Sequence, residues 1–164
     1  MGKLINGEYI DWIAKVKVLQ KVVIVNDSDQ ILSLCRSSNS HVRANCWDLP
    51  GGTLDEEDIY LWKGESGKGD YKDILIKAIL REVNEETGLD SSSIKDIKAI
   101  HSASGFNEKK GIFILALGYK CKSTLRTIKL SNEHSEFKWV TLEEFMNLEI
   151  GDDGGLIHSI LNQI

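Results

Sequence analysis

The chain has 164 residues, and 41% of them are hydrophobic, which is enough to bury the core of one domain without disulfides or a structural metal. Its formal net charge of −5 argues against a protein that binds nucleic-acid backbones, because such proteins carry basic patches. An acidic protein that acts on phosphate groups would need a metal ion between its carboxylates and the substrate.

Cysteine usage and the pattern of lysines indicate the compartment. The three cysteines are odd in number, lie far apart and form no Cys-x-x-Cys pair, so neither a disulfide framework nor a zinc site is predicted. Lysines interrupt the apolar segment from Ile13 to Val25, which excludes a membrane-spanning helix there. We therefore expect a cytoplasmic protein with no membrane partner and no stable nucleic-acid partner.

The first part of the chain is expected to form strands. Alternation and β-branched residues from Trp12 to Val25 predict one long strand or two consecutive ones, and the polar residues 26–29 predict a turn. Residues 30–35 would return as the partner strand of a hairpin. The polar stretch 36–45 is expected to be a loop. Its first residue, Arg36, is a candidate contact for an anionic ligand, with an ordinary solvated surface as the alternative.

A turn with two adjacent glycines follows at Trp47-Asp48-Leu49-Pro50-Gly51-Gly52. Paired glycines adopt backbone conformations closed to other residues and let a ligand approach the main chain. Gly51 and Gly52 are therefore candidate substrate-binding residues, with an ordinary turn as the alternative. The polar stretch from Thr53 to Tyr71 is expected to form a long loop that contains one short strand or turn.

The second half of the chain begins with a predicted helix. Asp73 is a candidate N-cap residue for a helix over about 74–87, which Gly88 would end. Thr141 and Glu144 form a capping-box signature at the start of a later helix. The other predicted elements are strands over 94–101, 111–120, 124–130 and 137–140, a loop over 102–110 and a last helix over 153–163. This interleaved order predicts a mixed α/β layer fold.

The C-terminal turns of the helix over 74–87 carry the densest group of charges in the chain. Glu82, Glu85 and Glu86 are spaced three and four residues apart, so they lie close together on the helix. Repulsion between like charges at these spacings costs about 0.2–0.5 kcal/mol per pair. Because Arg81 supplies a single positive charge, the cluster favours a bound divalent cation. The alternative is a solvated acidic face.

These features together resemble the signature of the Nudix hydrolase family. That signature reads Gly, five residues, Glu, seven residues, Arg-Glu, an aliphatic residue, any residue, Glu-Glu, any residue, Gly and an aliphatic residue. Its second half matches residues 81–89 in full. Counting back from Arg81, the first half falls on Asp73 and Gly67, whereas the family's usual lead-in ends at Gly52. We favour Gly52 as the glycine of the site, with residues 53–67 as an inserted loop in a single domain over residues 1–164.

The resemblance implies a Nudix-like α/β/α sandwich with a mixed β-sheet and a catalytic helix at about 74–87. It implies a metal-dependent hydrolase, with Mg²⁺ or Mn²⁺ as cofactor, that cleaves a diphosphate linkage in a small-molecule nucleotide such as a nucleoside triphosphate, a nucleotide sugar or ADP-ribose. The implied metal ligands are Glu82, Glu85 and Glu86. The implied catalytic residues are Arg81, Glu82, Glu85 and Glu133. A catalytically silent nucleotide-sensing module is the alternative, and a homodimer is expected because relatives often form dimers.

Overall fold

A mixed six-stranded sheet forms the centre of the protein. The computed structural model describes residues 15–58, 74–151 and 155–164, and the backbone alone of residues 3–5 and 8–10. The described strands are β1 (Lys3–Ile5), β2 (Glu8–Ile10), β3 (Val16–Val25), β4 (Ile31–Arg36), β5 (Trp47–Asp48), β6 (Ile94–Asn107), β7 (Ile112–Ser123) and β8 (His134–Val140). The helices are α1 (Ile74–Thr87), α2 (Leu142–Met146) and α3 (Leu156–Leu161), and residues 56–58 are also helical.

Strand β3 occupies the middle of this sheet. It runs parallel to β7 along its whole length, from Val16 opposite Phe113 to Val25 opposite Lys122. Its end meets β4 in an antiparallel turn, and β4 in turn pairs with both β5 and β8. Strand β6 pairs with the far side of β7, while β1 and β2 form a separate two-stranded sheet. The continuous apolar run at the end of β3 suits this central position, which buries side chains on both faces.

Two hydrophobic cores lie on opposite faces of the sheet. Successive side chains of a strand point to opposite faces, so Val22 and Ile24 contact the core that includes Ile79 and Val83 of α1. Val23 and Val25 contact the other core, which α2 and α3 cover with Phe145, Ile157, Ile160 and Leu161. With α1 on one side and the two short helices on the other, the predicted α/β/α sandwich is confirmed.

The boundaries of α1 and α2 match the local signals of the sequence, whereas the last helix, predicted over 153–163, is shorter and covers Leu156–Leu161. The first helix covers Ile74–Thr87, and Gly88 follows it with a φ of +71°. The capping box at α2 forms as predicted: the Glu144 N–H donates to Thr141 Oγ1 at 3.2 Å, and the Thr141 N–H donates to Glu144 Oε2 at 2.7 Å. The predicted cap at Asp73 lies outside the described residues. In the described ranges, no helix has the length and apolar content needed to cross a membrane.

Two predictions for the region after α1 are wrong. The loop expected over 102–110 is mostly strand, because β6 continues to Asn107 through backbone pairing with β7, although its side chains from Ser102 to Phe106 are exposed. The strand expected over 124–130 is irregular. Its end instead satisfies the free carbonyls of α1, since the Lys129 N–H donates to the Thr87 carbonyl at 2.9 Å. Strand β8 also begins three residues earlier than predicted, at His134.

The capping box predicts a measurable contribution to stability. Replacing Thr141 by Ala removes the side-chain acceptor for the Glu144 N–H, and we expect T141A to lower the free energy of unfolding by about 1 kcal/mol. T141S keeps the hydroxyl and is the matched control. Urea unfolding followed by circular dichroism would measure both variants, and equal stability of the two would contradict this account.

Candidate active site

The acidic end of α1 faces the Gly51-Gly52 turn. The Gly51 N–H donates to Glu86 Oε2 at 2.7 Å, and Glu86 is only 6% exposed. Gly51 has a φ of +132°, and a Cβ on it would overlap the backbone carbonyl of Gln20. A Cβ on Gly52 would overlap the carboxylate of Glu82 instead. Gly51 is therefore required by its backbone conformation and by the close approach of β3. Gly52 is required because its missing side chain leaves the space that the Glu82 carboxylate occupies.

The guanidinium of Arg81 forms ion pairs with four carboxylates at this end of α1. Its guanidinium binds Asp58 with two hydrogen bonds, Nε to Oδ1 at 2.8 Å and Nη2 to Oδ2 at 2.9 Å. It also lies 3.1 Å from Glu82, 3.0 Å from Glu85 and 3.3 Å from Asp55. The hydrogen bonds from Arg81 lower the pKa of Asp58, and those to Asp58 raise the pKa of Arg81. Two parallel bonds fix the orientation of the guanidinium plane as well as its position.

Asp58 is a site residue that the sequence prediction missed. It stands six positions after Gly52, so the five-residue gap of the family signature, counted forward from that glycine, ends on it. The side chain is buried and paired with Arg81. The predicted insertion over 53–67 extends beyond the described residues, but its first part lies against β3, because the Leu54 N–H donates to the Val18 carbonyl at 3.0 Å.

Burial alters the protonation of the inner glutamates. It raises the pKa of Glu86 to about 7, against the lowering effect of Lys21 and of the Gly51 hydrogen bond. It also raises the pKa of Glu82. His134 lies with Nε2 at 3.8 Å from Glu86 Oε1, and burial lowers the pKa of His134 to about 4, so this imidazole is neutral at pH 7. Burial therefore favours the neutral form of both carboxyls, an effect that a nearby cation would offset.

A group of cations lies on the other side of the turn. Lys21, in β3, is 4% exposed; its Nζ donates to the carbonyls of Leu49 and Gly51 and lies 2.8 Å from Asp48 Oδ2. Arg43 and Arg36 lie 3.4 and 3.8 Å from the same carboxylate oxygen. One carboxylate thus faces three cations, which leaves positive charge beside the acidic end of α1. The sequence signal was a lysine directly before the continuous apolar run at the end of β3.

A central cavity of about 460 Å³ brings most of the predicted site residues together. The predicted residues that line it are Arg36, Gly51, Gly52, Glu82, Glu86 and Glu133. Lys17, Lys21 and Arg43 also line it. Arg81 and Glu85 lie beside the cavity, where they are paired with each other, and Glu85 is exposed. Glu133 is exposed and reaches the cavity from the segment before β8.

The carboxylates do not converge as a ready-made metal site. Among the described residues, no three His, Cys, Asp or Glu side chains form a cluster that could hold an ion. The reason is visible in their contacts: Glu82 and Glu85 turn towards Arg81, and Glu86 turns towards the Gly51 N–H. A cation at this place would therefore require Glu82 and Glu85 to exchange Arg81 for the ion.

The fold and the signature together define the family. The family model described as NUDIX domain matches residues 19–157, and the chain therefore belongs to the Nudix hydrolase family. Nudix hydrolase 5 from Arabidopsis thaliana is 25% identical over 128 residues, which are 76% of this chain and 36% of that protein. The ADPR responsive transcriptional repressor NtrR from Acinetobacter baylyi is 23% identical over 154 residues, which are 93% of this chain and 54% of that protein. The chain spans about a third to a half of the length of these relatives.

Solved structures show the same fold. The MutT protein from Methanosarcina mazei superposes with a TM-score of 0.64 at 23% identity, covering 90% of this chain and 91% of that one. The NUDIX domain of NrtR from Shewanella oneidensis, in its complex with ADP ribose, superposes with a TM-score of 0.59 at 19% identity, covering 91% of this chain and 84% of that one.

The raised pKa of Glu86 predicts a pH dependence of stability in metal-free protein. The folded state holds the Glu86 proton up to a pH of about 7, whereas the unfolded state releases it near its ordinary value of 4.5. Below pH 4.5 Glu86 is protonated in both the folded and the unfolded state, so it does not change the free energy of unfolding. Its unfavourable contribution to stability grows as the pH rises from 4.5 to 7. E86Q, which keeps the acceptor for Gly51, should lose less stability over this range. Urea unfolding in EDTA at several pH values would measure the stability of the wild type and of E86Q. Parallel pH profiles of the two proteins would contradict the raised pKa of Glu86.

The position of Gly52 predicts a selective effect on metal binding. Because a Cβ there overlaps only the end of the flexible Glu82 side chain, we expect G52A to fold but to bind Mn²⁺ about 10- to 100-fold more weakly. G105A is the matched control, since a Cβ on Gly105 meets nothing within 4 Å. Isothermal titration calorimetry with Mn²⁺ would compare them, and wild-type affinity in G52A would refute the role given to this glycine.

Proposed function

We propose that this chain is a metal-dependent pyrophosphohydrolase, formed by a single domain over residues 1–164, that cleaves the diphosphate linkage of a nucleoside diphosphate derivative. The observation that carries the proposal is the central cavity. Glu82 and Glu86 line one side of it, and Lys21, Arg36 and Arg43 line another. A diphosphate bound there would meet positive charge from the protein directly and would meet the carboxylates through a cation.

The donor set fits Mg²⁺ or Mn²⁺. Glu82, Glu85 and Glu86 supply the hard oxygen ligands that these ions prefer, and two of the three have pKa values raised by burial, which a cation would offset. A cation held by these residues would neutralise charge on the diphosphate oxygens and lower the pKa of a nearby water. Glu82 and Glu85 would turn to it from Arg81, while Asp58 would keep Arg81 paired.

The chain's own residues would then position the reaction. The oxygen of a water molecule bonds to one phosphorus as the bond from that phosphorus to the bridging oxygen breaks, and the bridging oxygen leaves with the other phosphate. One proton of the water passes to a carboxylate, for which Glu82, Glu85 and Glu133 are the candidates. Arg81 orients the glutamates, and Arg36 and Arg43 hold the phosphate oxygens of the substrate.

ADP-ribose is our first candidate substrate. One relative is a repressor described as ADPR responsive, and one solved structure of similar fold is a Nudix domain complexed with ADP ribose. Likeness at 19 to 23% identity supports the choice of ligand to test first. We further propose a cytoplasmic location, which suits three cysteines that are all free thiols. The homodimer stays a prediction.

The second candidate function is a nucleotide-sensing module without catalysis. The similarity to the repressor NtrR favours it, as does the pairing of Glu82 and Glu85 with Arg81. The two functions differ in turnover, since a sensor would bind the nucleotide without releasing products.

The carboxylates predict a shared loss of activity. We expect the wild type with Mg²⁺ to hydrolyse ADP-ribose or another member of a panel of nucleoside triphosphates, sugar nucleotides and dinucleotides. E82Q and E85Q should each lower kcat/KM by about 100-fold or more, because each removes a charge from the proposed metal site. E143Q, on the exposed face of α2, is the matched control. Product release is measured by chromatography. Nucleotide binding without any turnover by the wild type would favour the sensor.

A further inference from the structure

The carboxylate of Asp48, in β5, lies beside the cationic side of the central cavity. Asp48 is 1% exposed, and its Oδ1 accepts a hydrogen bond from the Leu49 N–H at 2.8 Å. The other oxygen, Oδ2, is buried and accepts no hydrogen bond in the described part of the chain. Lys21, Arg43 and Arg36 lie 2.8, 3.4 and 3.8 Å from it. A buried carboxylate oxygen in this state attracts any N–H donor that can turn towards it.

Lys21 supplies the opposite charge at the shortest distance. Its ammonium donates to the carbonyls of Leu49 and Gly51 at 2.9 and 3.2 Å, which holds it between β3 and the glycine turn. Attraction between charges falls with distance and is stronger away from water. The buried ammonium at 2.8 Å therefore offsets the charge of Asp48 more than either arginine does, and its own donors are directed at the turn.

The two arginines approach Asp48 without forming a hydrogen bond to it. Arg43 donates from Nη1 to the Gly151 carbonyl, and Arg36 donates from Nε and Nη2 to Ser40 Oγ. The nitrogens nearest to Asp48 are the other terminal ones, Arg43 Nη2 and Arg36 Nη1. Neither forms a hydrogen bond within the described ranges, and both arginines line the central cavity. Each guanidinium thus keeps N–H donors that a phosphate oxygen could accept.

We propose that Lys21 is a positioning residue: by offsetting the charge of Asp48, it leaves the N–H donors of Arg36 and Arg43 free to bind the phosphate oxygens of the substrate. Without the ammonium, Asp48 would draw one or both guanidinium groups onto its oxygens. A phosphate would then have to displace the carboxylate before it could bind. This inference rests on the proposed function, in which the two arginines hold the diphosphate, and it assigns Lys21 an effect on anion affinity that acts through Asp48.

A purely structural role for Lys21 makes a different prediction. If the ammonium only supported the glycine turn through its two carbonyls, its loss would do the same damage whether or not Asp48 carried a charge. Asn at position 48 removes the charge and keeps Oδ1 as the acceptor for the Leu49 N–H. K21M and the double variant K21M/D48N lack the same ammonium, so a comparison of the two isolates the charge of Asp48.

Binding of inorganic pyrophosphate tests the proposal without turnover or metal. Isothermal titration calorimetry in EDTA measures the wild type, K21M, K21M/D48N and the matched control K98M, whose lysine is exposed on β6. We expect K21M to weaken binding by about tenfold or more, and D48N in the K21M background to restore it to within about threefold of the wild type. Wild-type affinity in K21M, or a double variant as weak as K21M, would overturn the proposal.

The double variant also decides the case in which K21M does not fold. Removing one partner of a buried ion pair is far more destabilising than neutralising both, so K21M/D48N is the safer protein. Circular dichroism checks the folding of every variant. If K21M is unfolded, pyrophosphate affinity of K21M/D48N within about threefold of the wild type supports the proposal. A loss of about tenfold or more in the folded double variant would show that Lys21 acts through the turn instead.

A variant of Arg43 shows whether pyrophosphate binds beside the arginines. R43M should weaken its binding by about tenfold, because it removes one of the two guanidinium groups that face the cavity. Unchanged affinity in R43M, or no binding by the wild type, would overturn the proposal for Lys21. Turnover of the nucleotide panel with Mg²⁺ is measured separately and would leave the hydrolase proposal standing in that case. Pyrophosphate binding as expected, with no turnover of any nucleotide, would count against the hydrolase proposal alone.

Discussion

The hydrogen bond from the Gly51 N–H to Glu86 ties the turn after β5 to the end of α1, and the rest of the site depends on it. This turn is held from the other side by Lys21, whose ammonium binds the carbonyls of Leu49 and Gly51. A lysine buried in the central strand would be costly if unpaired, and Asp48 supplies the opposite charge at 2.8 Å. Strand β3 therefore supports the site as well as the two cores.

Arg81 and a metal ion would compete for the same carboxylates. One guanidinium cannot neutralise Asp55, Asp58, Glu82 and Glu85 together, and its two best hydrogen bonds go to Asp58. Because Asp58 is buried and bound on both oxygens, it can hold Arg81 in place when the two glutamates turn away. The pairing with Glu82 and Glu85 stabilises the acidic cluster without a cation, and a cation that displaced Arg81 would lose part of its binding free energy.

Sequence reasoning succeeded where a feature depends on neighbouring residues and failed where it depends on distant ones. The helix over 74–87 and the capping box at Thr141 are local patterns, and the structure confirms both. The extension of β6 to Asn107 depends on pairing with β7, so its polar sequence was misread as a loop. Asp58 meets Arg81 across 23 positions of the chain, and counting back from Arg81 led to Asp73 instead. The roles of Lys21 and Asp48 likewise appear only when β3 and the glycine turn are brought together.

The proposed metal ligands and the lining of a neighbouring cavity lie on different elements of the fold. The carboxylates lie on α1 and the segment before β8, whereas a neighbouring cavity of about 570 Å³ is lined largely by the loop between β4 and β5, with Ser37, Asn39, Ser40 and His41. The two ends of that loop are joined, because the Arg36 N–H donates to the Cys46 carbonyl, and within the loop Arg43 donates to the Gly151 carbonyl. Binding residues on a loop held by a rigid scaffold can change without disturbing the scaffold. Changes in this loop could therefore alter the lining of that cavity while α1 and the glycine turn keep the geometry of the central cavity.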